Sequence, residues 1–99
     1  MPPRHLAVDP GSLRLPTTRV GGADPVKLHR QLARHGLRTA GMPPILVVRG
    51  SDGELMIVDG VTRATRVAKF LPGTLVSVEV TDDIPAALGH LPAVRDRLP

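Results

Sequence analysis

Two short aliphatic runs, Ile45-Leu46-Val47-Val48-Arg49 and Glu54-Leu55-Met56-Ile57-Val58-Asp59, flank the turn signal Ser51-Asp52-Gly53. β-Branched residues bounded by turn formers predict a β-hairpin. Both runs are apolar at successive as well as alternate positions, so the hairpin is expected to be covered on both faces. Gly60 follows directly, and the apolar period then changes. Val61, Ala64, Val67, Ala68 and Leu71 share one helical stripe, ended by Pro72-Gly73.

The core such a unit can build is aliphatic. Phe70 is the single aromatic residue of 99, and Trp, Tyr and Cys are absent. A hydrophobic share of 41% with 22% charged residues fits a globular chain. The length predicts one domain over residues 1–99. A domain of this size hides only about 60–65% of its unfolded surface, so its stability margin is small. Without cysteine there is no disulfide, no thiolate nucleophile and no cysteine-based zinc site. The opening Met1-Pro2-Pro3-Arg4-His5 contains no apolar leader, and no apolar run is long enough to span a bilayer. The expectation is a cytoplasmic domain with no membrane partner.

Around the hairpin, Pro and Gly divide the chain into short elements. His5 to Val8 reads as a strand ended by Asp9-Pro10-Gly11-Ser12. Ser12 to Gly22 reads as irregular, with one helical turn around Leu13 to Leu15. Asp24-Pro25 is an N-cap with proline at the first helical position, and it opens an amphipathic helix to His35. Lys27, Arg30 and Arg34 fall on its outer face, with His29 at its border. Leu75 to Val80 alternates as a further strand. In the tail, Asp82-Asp83 reads as a helix N-cap, Pro85 to Gly89 as a helix, and a second short helix follows Pro92. The fold class is α/β (α+β): a small mixed sheet flanked by helices.

Thirteen basic residues stand against nine acidic ones, and eleven of the thirteen are arginine. Guanidinium groups suit bidentate contacts to phosphate or carboxylate. The segment best placed to use them is Val58-Asp59-Gly60-Val61-Thr62-Arg63-Ala64-Thr65-Arg66. A strand that turns straight into a helix leaves the first helical N–H groups without partners, and the helix dipole favours an anion there. Gly60 lets a phosphate approach the backbone, and Arg63 and Arg66 supply cations from the first two turns. The alternative is equally open: Arg63 reaches back to Asp59 or Glu54 and neutralises itself.

Residues 41–80, taken together, resemble the core of the ParB/sulfiredoxin superfamily. The resemblance rests on Pro44-Ile45-Leu46-Val47-Val48-Arg49, on Ile57-Val58-Asp59-Gly60-Val61-Thr62-Arg63 with its G-x-x-R turn, on the helix carrying Ala64 and Ala68, and on Val76-Ser77-Val78-Glu79-Val80. In that superfamily the turn binds nucleotide phosphates: CTP in ParB proteins, ATP in sulfiredoxin, while other members are described as nucleases or kinases. The resemblance implies CTP or ATP with Mg²⁺ as ligand, held by Gly60, Val61, Thr62, Arg63 and Arg66, with Pro44 and the Gly41 to Pro43 loop near base or sugar. The departures are informative. Sulfiredoxin's reactive cysteine would fall at Val61, which removes sulfinyl chemistry. The second arginine of ParB proteins falls at Ala64, and 99 residues leave no space for their helix-turn-helix.

Three classes of function follow, the last a small interaction protein that keeps the fold but binds no ligand. The first is an enzyme, a nuclease or nucleotide-hydrolysing domain, with Asp59 and Arg63 as catalytic residues. The second is a non-catalytic module that binds nucleotide, DNA or a protein partner, a second copy of itself included, in a partition or regulatory system. Asp59 also reads as a simple helix cap, and Glu54 as a solvated charge. His5, His29, His35 and His90 show no metal-site spacing. Arg30, Arg34, His35 and Arg38 form a basic stripe that would attract nucleic-acid phosphates or simply face water.

Overall fold

The computed structural model describes residues 4–99; residues 1–3, on which part of the expectation of no apolar leader rests, lie outside the described residues. Four strands form one mixed sheet: β1 (Arg4–Val8), β2 (Ile45–Arg49), β3 (Leu55–Asp59) and β4 (Val76–Asp83). Two helices accompany it, α1 (Pro25–His35) and α2 (Val61–Phe70). The strand order is β1-β4-β2-β3. β2 runs antiparallel to β3 and parallel to β4, while β1 closes antiparallel on β4. The chain is therefore a small mixed α/β protein. No helix among the described residues is long and apolar enough to cross a membrane.

The hairpin forms where the Ser51-Asp52-Gly53 turn requires it, with Gly53 at φ +81°. The Asp52 carboxylate accepts from the amides of Glu54, Leu88 and Gly89. Those amides are spent on Asp52, and Ser51 donates to the Ala86 carbonyl. The segment Pro85 to Gly89 is consequently a bend and turn rather than the expected helix. Asp82-Asp83 is not a helix cap either. β4 continues through both residues, because Asp83 accepts from Arg49 (2.8 Å) and Arg4 (2.6 Å) and so ties three strands together. The short helix after Pro92 is present as a 3₁₀ turn, Val94–Arg97.

Leu13 to Leu15 is extended, not helical. Arg14 exchanges backbone hydrogen bonds with Leu55 and Ile57, and its neighbours Leu13 and Leu15 pair with Val94 and Pro92. This prolongs the sheet past β3, flanked by 3₁₀ turns at Pro10–Ser12 and Thr17–Arg19. Glu54, expected in solvent, meets Arg14 Nε at 3.4 Å.

The core lies on one face of the sheet only. Ile45, Val47, Ile57, Val76, Val78 and Val80 pack against Leu13, Leu15, Ala64, Val67 and Val94. On the other face Val58 is 58% exposed. The two-sided cover expected from the apolar runs is therefore not formed. Period-two burial, with Val47 and Ile57 inward and Val58 outward, describes β2 and β3 better than a fully buried pair.

Candidate functional site: the groove between α1 and the start of α2

β3 delivers Asp59 to the end of the sheet at which β2 begins, since Asp59 lies opposite Leu46. Gly60 then reverses the chain with φ +117° and ψ 23°, a left-handed conformation that L side chains rarely adopt. A Cβ there would meet Arg63 Nη2 at 2.9 Å and Ile45 at 3.1 Å. Glycine is thus required by conformation and by packing against Arg63, whatever else approaches. α2 starts at Val61 with no side chain capping its first amides. The Val61 side chain is in the core, so that residue offers a ligand only its backbone.

Arg63 points from the first turn of α2 into the space between the helices. Its side chain is 20% exposed. Nη2 lies 3.5 Å from Asp59 Oδ2 and donates at a long 3.4 Å to the Pro44 carbonyl, and Nε is buried without a partner. Arg63 reaches back to Asp59, as the neutralised alternative expects, but the pair is loose and leaves donors unused. The Asp59 carboxylate is 68% exposed, so solvent screens its pull on the guanidinium.

Arg66 has a different task. It is 2% exposed. Nη1 donates to the carbonyls of Gly36 (3.0 Å) and Arg38 (2.7 Å), and Nη2 meets Met42 Sδ at 3.3 Å. These contacts place its charge on the orphan carbonyls just beyond α1, where the helix dipole favours a cation. Burial lowers its pKa from the ordinary arginine value. Its Nε is buried without a partner. Arg66 thus builds the wall of the site first.

Two clefts open on either side of Arg63. The first, of about 470 Å³, is bounded by His35, Arg38, the Ala40 to Pro43 loop and Arg66. The second, of about 520 Å³, lies over the turn itself, with Arg19, Lys27, Asp59, Gly60 and Thr62 around it. Gln31 and Arg63 line both, so the two form one groove with those residues at its waist. Gln31 Oε1 is buried there with no donor. Of the residues singled out from the sequence, Asp59, Gly60, Val61, Thr62, Arg63 and Arg66 border this groove, and Pro44 supports it through its carbonyl.

Comparison with family models, with curated proteins and with solved structures returns no match. The reading of this groove therefore stands on its own chemistry.

That chemistry is one-sided. Arg19, Lys27, Arg38, Arg63 and Arg66 face the groove, and Asp59 is the sole carboxylate on its rim. Sequence reasoning missed Arg19, Lys27 and Gln31 as wall residues. The signal was the spacing Lys27, Gln31, His35, which puts all three along one edge of α1. No group of three or more metal-ligating side chains occurs among the described residues.

Proposed function

We propose that this chain binds a nucleotide, with the phosphates over the Gly60 to Arg63 turn and the base side in the cleft beside Gly41 to Pro43. The observation that carries the reading is the pairing of unused donors with an acid-poor groove. Arg63 makes only long contacts to Asp59 and Pro44, and five cations border a space with one carboxylate. Its part-exposed guanidinium, held by those long contacts alone, has donors to turn onto a phosphate oxygen in a charge-assisted bond. A combined groove on this scale matches the usual size of small-ligand pockets. The resemblance to ParB/sulfiredoxin cores points to the same turn and supports CTP or ATP as the ligands to test first.

Mg²⁺ fits this arrangement only as a companion of the phosphates. It binds one or two carboxylates plus substrate oxygens, and Asp59 is the one protein carboxylate within reach of the turn. Asp59 would hold the ion, which would supply charge neutralisation at the phosphates. Arg63 and the amides of α2 would orient them.

Titration calorimetry with a nucleoside triphosphate, the matching diphosphate and inorganic phosphate tests the proposal, with and without Mg²⁺. Affinity should fall in that order. Equal affinity for all three, or none for any, contradicts it. The same samples assayed for phosphate release separate an enzyme from a binding module. If Asp59→Asn abolishes release while binding persists, the chain is the former; absent release in the unaltered protein makes it the latter.

A further inference from the structure

From Pro25 to Ser51 the chain contains no Asp or Glu, yet it carries Lys27, Arg30, Arg34, Arg38 and Arg49. Of these, Arg49 is paired with Asp83, and none of the other four forms an ion pair among the described residues. All four are exposed. At 100° per residue, Lys27, Arg30 and Arg34 lie within about 60° of arc on α1, and Arg38 follows in the loop beyond the Gly36 cap. The stripe is unneutralised as well as basic. Three of the nine acidic residues, Asp52, Asp82 and Asp83, lie at the far end of β2 around the hairpin turn and the end of β4, while Asp24 caps the first turn of α1.

α1 is also an exposed helix. Leu28 is its only buried residue, so one side faces the domain and the remainder faces outward. The outward side lacks the centre that a protein partner would need. Its exposed apolar side chains are few, Val26 and Ala33 two turns apart with Leu37 just beyond the helix, and no aromatic residue stands among them to form the core of an interface. α1 carries no aromatic ring of Phe, Tyr or Trp to stack on unpaired bases either, since the single such residue, Phe70, ends α2.

From these features we infer that the α1 stripe is a docking surface for the phosphate backbone of duplex nucleic acid, centred on the outward Arg30 and Arg34 and meeting the rim of the groove at Lys27 and Arg38. Arg30 and Arg34 carry it and line neither cleft. Binding is independent of base sequence and steeply dependent on salt. With four phosphates neutralised, the logarithmic salt slope is about −3.6, which corresponds to an about 150-fold loss of affinity between 50 and 200 mM salt.

The test is fluorescence anisotropy of a labelled duplex of random sequence against the whole chain and two variants. In Arg30→Gln/Arg34→Gln the slope should drop to about half, with an unchanged melting temperature, because both side chains are exposed. Arg63→Ala should bind the duplex as the unaltered protein does, which separates this surface from the nucleotide site. Three results overturn the inference. One is no duplex binding at 50 mM salt. Another is binding indifferent to Arg30 and Arg34 but lost in Arg63→Ala. The third is capture of poly-glutamate in place of duplex, which would make the stripe an acidic-protein site.

Discussion

Arg66 donates to the carbonyl of Gly36 at 3.0 Å, and through that bond the second turn of α2 holds the end of α1. The same guanidinium reaches the Arg38 carbonyl and Met42 Sδ, so one side chain fixes the loop that floors the first cleft. No carboxylate shares the burial. The charge is balanced by carbonyl dipoles alone, which makes the position intolerant of shorter substitutes.

Arg66→Ala should destabilise the domain by ~2 kcal/mol, because a buried side chain is lost and two part-buried carbonyls lose their donor. For a chain of this length that is a fall in melting temperature on the order of 10 °C. Arg66→Lys should recover only part of it, since one ammonium cannot span both carbonyls and Met42 in a planar fork. Thermal melting followed by far-UV circular dichroism measures both.

Gly60→Ala should be costly for a different reason. The residue sits at φ +117° and an added Cβ crowds Arg63 and Ile45. Strain of this kind costs about 1–3 kcal/mol. Any relief must come from moving the Arg63 guanidinium, so ligand affinity should fall with stability. By contrast, Gly36→Ala meets open space, though φ +59° still strains it, and should lower stability without disturbing the turn. Paired denaturation and ligand titrations distinguish the two.

Asp83 sets an acid limit on the sheet edge. Hydrogen bonds from Arg4, then from Arg49, hold its carboxyl below the usual carboxylate pKa. Its ionised form is thus favoured in the folded chain. The stabilisation is present above the unfolded pKa and is lost as pH falls through the lower folded value. Melting temperature should therefore decline from about pH 4 downward. In Asp83→Asn that part of the decline should disappear, with lower stability at neutral pH. A melting series across pH 2.5 to 7 tests this.

The hairpin, both helices and their order were legible because each rests on local pattern: the Ser51-Asp52-Gly53 turn, the Asp24-Pro25 cap, the stripe from Val61 to Val67. The failures share a cause. Leu13 to Leu15 and the Pro85 to Gly89 segment satisfy their backbone groups with partners far away in sequence, Leu55 and Val94 for one and Asp52 for the other. No local period records such bonds. The same holds for the site. Asp59, Gly60 and Arg63 could be read from one turn. The Lys27 and Gln31 wall depends on how α1 settles against α2, and the two-sided hairpin failed because no helix covers the face carrying Val58.

Melting the unaltered protein and Arg63→Ala with and without a saturating nucleoside triphosphate measures the grip of the turn on phosphate. At about 100 times the dissociation constant the unaltered protein should gain about 2.7 kcal/mol, a rise of ten degrees or more for a chain this small. Arg63→Ala should fold and show no rise. An equal rise in both, or none in the unaltered protein at millimolar nucleotide, would contradict a phosphate site at Gly60 to Arg63.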